Sequence, residues 1–105
     1  MSDTIHKLSP EEAESQIRKI AISGSVEITE HCYDESMRNR GYDSNDIVNV
    51  LFNGRIREPP QYDEEHSNWE YRVEGNVVEG EKATVVVAIK SHDQLVCITI
   101  MPKGV

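Results

Sequence analysis

Lys82-Ala83-Thr84-Val85-Val86-Val87-Ala88-Ile89-Lys90, Ser91-His92-Asp93-Gln94 and Leu95-Val96-Cys97-Ile98-Thr99-Ile100-Met101 run consecutively near the end of the chain. The two outer segments are rich in Val and Ile, which suit a pleated, half-buried surface. The short polar segment between them reads as a turn, so the pair predicts a hairpin forming the central strands of a sheet. Working backwards, Trp69, Tyr71 and Val73 alternate with Glu70, Arg72 and Glu74, the pattern of a third strand with an aromatic face. Gly75 to Gly80 reads as a turn, and Gln61 to Ser67 as a polar loop. Arg55-Ile56-Arg57 reads as a strand ended by Pro59-Pro60.

Upstream of Arg55 the period changes. Ser9-Pro10-Glu11-Glu12 combines a capping serine, a first-turn proline and a capping-box glutamate, and Ala13, Ile17, Ile20 and Ala21 follow at helical spacing up to Gly24. Val26 and Ile28 suit a short strand or an extended approach to the next helix. Thr29 can cap a second helix over about 30–40, stopped by Gly41, and Asp43 or Ser44 a third through about 53, ending at Asn53-Gly54. Helices followed by hairpin-linked strands predict an α+β fold, with two or three N-terminal helices on one antiparallel sheet of about four strands. Residues 1–8 read as a flexible N-terminus and 9–105 as a single domain.

A chain of 105 residues can bury one modest core, and 37% hydrophobic with 29% charged residues is ordinary for a globular domain. It contains no apolar run of membrane-spanning length and no signal-peptide pattern, and Cys32 and Cys97 read as reduced, buried thiols. The expected location is cytoplasmic, with no membrane partner. The net charge of −8 argues against casual nucleic-acid binding, because phosphate contacts need cations. Most of that charge sits in residues 61–81, where Arg72 stands against seven acids. Residues 82–105 carry three lysines and only Asp93.

The densest polar run is His31 to Gly41. On an α-helix His31 and Glu35 share a face, as do Asp34 and Arg38, and a carboxylate-held His can act as a general base near neutral pH. A solvated, ion-paired helix accounts for the same residues. Glu64, Glu65 and His66 offer cation ligands, or a solvated loop. Metal-free cleavage of RNA needs a base for the 2′-hydroxyl, a proton donor for the leaving oxygen and cations for the phosphorane. Arg38, Arg40, Arg55, Tyr71, Lys82 and Lys90 supply these where the fold gathers them. Trp69 and Tyr71 also suit the core. There is no glycine-rich phosphate loop, paired-cysteine zinc motif or serine elbow, and no cofactor or metal is expected.

From Ile28 to Thr99 the chain resembles the prokaryotic domain of unknown function 4258 family. The resemblance rests on His31 opening a helix, on Met37-Arg38-Asn39-Arg40-Gly41, and on the short helix ending at Asn53-Gly54. Pro59-Pro60 and Ile98-Thr99 complete it. Ser36 stands where the family pattern has an Arg before the Met. The family looks like a relative of the RelE and MqsR toxins, and His66-Ser67-Asn68-Trp69 is similar to a His-x-x-Trp stretch in MqsR. The resemblance implies a metal-independent mRNA endoribonuclease of a toxin–antitoxin system. His31, Arg38, Arg40, Tyr71 and Lys90 are the catalytic candidates it marks. Its expected partners are an mRNA substrate, a protein antitoxin of the MqsA zinc-finger type, and a second copy of the chain in a homodimer. Two other classes stay open: a catalytically inactive interaction module of the same fold, and an acidic inhibitor whose 61–81 segment mimics nucleic acid.

Overall fold

The structure, a computed structural model, describes residues 7–103. The expected flexible terminus lies outside these for residues 1–6, whereas Lys7 and Leu8 are anchored. Leu8 packs against the core, its N–H donates to the Tyr71 hydroxyl at 2.9 Å, and Lys7 Nζ sits 5.4 Å over the Trp69 ring.

Helix α1 (Pro10–Ser23) begins with the expected capping box, Ser9 and Glu12 each accepting the other's N–H, and buries Ala13, Ile17 and Ile20. Burial of an Ile of this kind contributes about 1.5–3 kcal/mol. Helix α2 (Ser44–Asn53) starts from Asp43 with a second reciprocal box through Asp46, and buries Ile47, Val50 and Leu51. Between them the expected second helix forms, but its central residues Cys32–Arg38 wind as a π-helix. Gly41, at φ +78°, ends it as expected.

The sheet has five strands where four were expected, and it is mixed rather than antiparallel. Its order is β1 (Ser25–Ile28), β5 (Gln94–Pro102), β4 (Lys82–Ser91), β3 (Asn68–Asn76), β2 (Gln61–Asp63). β1 runs parallel to β5, with Val26 opposite Leu95 and Ile28 opposite Cys97, and every other neighbour is antiparallel. Arg55-Ile56-Arg57 does not form a strand: Arg55 makes one isolated bridge to Glu74 before the prolines turn the chain away. The first part of the expected 61–67 loop is instead the edge strand β2. The β4–β5 hairpin is central, as its composition required.

One sheet face carries Tyr71, Val73, Val85, Val87, Leu95, Cys97 and Ile100, which share a buried core with α1, α2 and Cys32. The β-pleat sends Glu70, Arg72 and Glu74 of β3 and Val86, Ala88 and Lys90 of β4 to the other face, which none of the described helices covers. β1 stops short of the end of β5, and side chains from the π-helix and from the helical residues just after it satisfy the edge that is left. Ser36 Oγ accepts from the Ile100 N–H at 3.3 Å, and Arg40 Nη1 donates to the Ile100 carbonyl at 3.0 Å. Among the described residues no helix is long and apolar enough to cross a membrane.

Candidate active site

The open sheet face is concave at one end. A groove of about 450 Å³ has Ala88, Val96 and Ile98 as its apolar floor. Polar walls are formed by His31 on one side and by Asp63, His66, Glu70 and Lys90 on the other. Topology explains this gathering. β1 delivers Thr29 and His31 past one sheet edge, while the β2–β3 hairpin brings Asp63 and His66 over the opposite half of the same face.

The hairpin is built locally. Asp63 Oδ1 accepts from the Glu65 N–H at 3.0 Å, an Asx-type turn, and Ser67 adopts φ +54° to close the loop onto β3. The second carboxylate oxygen, Oδ2, lies 2.7 Å from His66 Nδ1. This hydrogen bond, reinforced by the Asp63 charge, raises the His66 pKa above 6.5 and holds Asp63 below its usual value. With Nδ1 engaged, Nε2 is the nitrogen left to a substrate. Glu70 titrates above its usual 4.5, chiefly because burial penalises its charged form, with Asp63 next to it adding to the rise. Lys90 Nζ is steadied by Asn68 Oδ1 at 3.3 Å. A carboxylate with increased basicity, a readily protonated imidazole and an ammonium thus face one groove. That set can take a proton from one oxygen, give one to another and stabilise negative charge between them.

His31 and Lys90, two of the five residues marked from sequence, meet in this groove. The other three do not join them. Tyr71 is fully buried on the helix-covered face, and the pleat of β3 points it away from Glu70. Arg40 caps the β5 edge and borders a different depression beside α2. Arg38 is exposed on the π-helix, paired with Asp34 at 3.7 Å. The face expected to join His31 and Glu35 rests on α-helical spacing. Within the π-winding Asp34 and Arg38, four residues apart, do pair, whereas no hydrogen bond or ion pair joins His31 to Glu35 among the described residues.

Asp63, Glu65 and His66 bring ligand atoms within 4.8 Å of one another, with Asp63 in place of the Glu64 expected from sequence. The Asp63 carboxylate is already taken by the turn and by His66, so the cluster reads as a hydrogen-bonded loop. Sequence reasoning missed Asp63 and Glu70. The available signals were the Asp-x-x-His spacing across a turn and the outward alternation of β3.

With this geometry in hand, the chain's family is clear: it belongs to the domain of unknown function DUF4258 family, whose model matches residues 28–102. The match begins at the last residue of β1 and takes in the π-helix, α2 and every later strand. No curated protein matches the chain, and no solved structure does.

Proposed function

We propose that the protein is a metal-independent endoribonuclease acting on mRNA, in the manner of the RelE- and MqsR-like toxins that its sequence resembles. The observation that carries this reading is the convergence of His31, His66, Glu70 and Lys90 on one groove of the uncovered sheet face. The Glu70 carboxylate removes the proton from a 2′-hydroxyl, and the 2′-oxygen attacks the adjacent phosphorus. The P–O5′ bond breaks as protonated His66 delivers its Nε2 proton to the leaving 5′-oxygen. The products are a 2′,3′-cyclic phosphate and a 5′-hydroxyl. Lys90 stabilises the charge on the phosphorane, and His31 lines the facing wall against the substrate. The directions of the two pKa shifts suit these roles. Burial makes the Glu70 carboxylate a stronger base, and the Asp63 hydrogen bond lets His66 keep its proton to higher pH. A protein antitoxin belongs to the same reading, as the agent that would cover the groove.

The net charge of −8 and the two carboxylates in the groove favour a second reading, a binding module of the same fold without catalysis. Induced expression in a bacterial host separates the two. The nuclease reading expects growth arrest with discrete mRNA cleavage from the wild-type chain, and normal growth with His66→Ala. Normal growth with intact mRNA from the wild-type chain would establish the binding module instead.

A further inference from the structure

At the other end of the β3–β4 pair the chain assembles its densest group of cations. Arg55, Arg57, Lys82 and Lys103, four of the eleven lysines and arginines, line a small depression of about 110 Å³ around Glu74. Glu74 Oε1 is 2.8 Å from Lys103 Nζ and 3.5 Å from Arg57 Nε, ionic contacts that lack hydrogen-bond alignment. Arg55 is drawn 3.6 Å from Glu14, and Lys82 has no ion-pair partner among the described residues. One central carboxylate therefore faces more positive charge than it neutralises. In a chain of net charge −8, this cluster is a local reversal of the overall charge, able to attract an anion. Arg72, on the same face of β3 by alternation, lies between this cluster and Glu70.

We propose that this basic depression is a phosphate-binding subsite for the backbone of single-stranded RNA, several nucleotides from the groove; this rests on the nuclease reading above. Lys90 borders the groove and Lys82 the depression, and both lie on β4. Eight residues of antiparallel strand separate them, about 27 Å at ~3.4 Å per residue. A single strand lying along β3 and β4 would place one phosphate over Lys90 and another over Lys82 and Lys103, with Arg72 between them. Cations at this end draw the substrate onto a protein whose overall charge would otherwise repel it. Selection for length follows, because a dinucleotide in the groove cannot reach the depression.

The test uses the full chain and a fluorescent, 2′-O-methylated RNA octamer, which binds without being cleaved. Anisotropy titrations at several salt concentrations compare the wild-type chain with Lys82→Glu/Lys103→Glu and with Lys82→Gln alone. The single variant replaces an exposed side chain and guards against a folding defect. The double variant is expected to bind about tenfold more weakly. Its logarithmic salt slope is expected to fall by about 1.4, about 0.7 for each phosphate no longer neutralised. Lys82→Gln is expected to move both quantities in the same direction by about half. Octamer affinity within twofold of wild type in both variants would overturn the subsite and leave the groove reading untouched, as would failure of the wild-type chain to bind the octamer while still cleaving an unmodified one. Cluster-dependent binding without cleavage of an unmodified octamer would establish the subsite and sink the nuclease reading alone.

Discussion

His66 Nδ1 and Asp63 Oδ2, three positions apart in the chain, stand 2.7 Å from each other, and in this pair each shifts the protonation of the other. The window in which it contributes follows from the directions of the two shifts. The raised His66 pKa gives a stabilisation that is complete below its unfolded value of about 6.5 and fades as pH rises through the folded value. The depressed Asp63 pKa gives one that is present above 3.8 and lost as pH falls through the folded value. The pair is therefore fully formed between these limits.

On the proposed nuclease reading, activity inherits that window. The pH profile of kcat/KM for RNA cleavage is expected to be bell-shaped, with an acid limb above 4.5 from Glu70 and an alkaline limb above 6.5 from His66. In Asp63→Asn both limbs are expected to move to lower pH, the alkaline limb because His66 loses its carboxylate partner and the acid limb because Glu70 loses the Asp63 charge that adds to its rise. An alkaline limb unmoved by this substitution would remove His66 from the role of proton donor.

Tyr71 separates a structural from a catalytic reading of the aromatic face. Its hydroxyl accepts only the Leu8 N–H among the described residues, and burial raises its pKa. Tyr71→Phe is expected to destabilise the fold by about 0.5–1.5 kcal/mol in urea titrations and to leave kcat unchanged. A fall in kcat beyond tenfold, with the fold intact, would return Tyr71 to the site.

Gly54 fixes how closely α2 meets β3. A Cβ there would lie 2.5 Å from both the Val50 carbonyl oxygen and Val73 Cγ1, and 2.9 Å from the Glu74 carbonyl oxygen. Backbone atoms on two sides leave it nowhere to move. Gly54→Ala is expected to cost on the order of 1–3 kcal/mol in the same titration, because the helix must shift off the sheet. Unaltered stability would mean that this helix end is free to adjust.

Local chemistry made much of the fold legible. The capping box at Ser9 and the capping residue at Asp43 or Ser44 mark two helix starts, and the Val- and Ile-rich run of β4 and β5 marks the sheet centre. What escaped depends on partners distant in sequence. Parallel pairing of β1 with β5 joins Val26 to Leu95, a relation that no local pattern encodes. Arg55-Ile56-Arg57 has the right alternation, but only Arg55 finds a strand partner. For the site, His31 and Lys90 stood out as isolated chemistry. Asp63 and Glu70 did not, because their importance arises only when β2 pairs with β3 at the sheet edge and sets them beside Lys90.

The most direct measurement is cleavage of an unstructured RNA oligonucleotide by the purified chain in excess EDTA, with the ends of the products identified. The expected result is cleavage to 2′,3′-cyclic phosphate and 5′-hydroxyl ends, slowed about 10²–10⁴-fold in Glu70→Gln and in His66→Ala. An intact oligonucleotide with the wild-type chain, or equal rates in all three proteins, would contradict the assignment of the groove as a ribonuclease site.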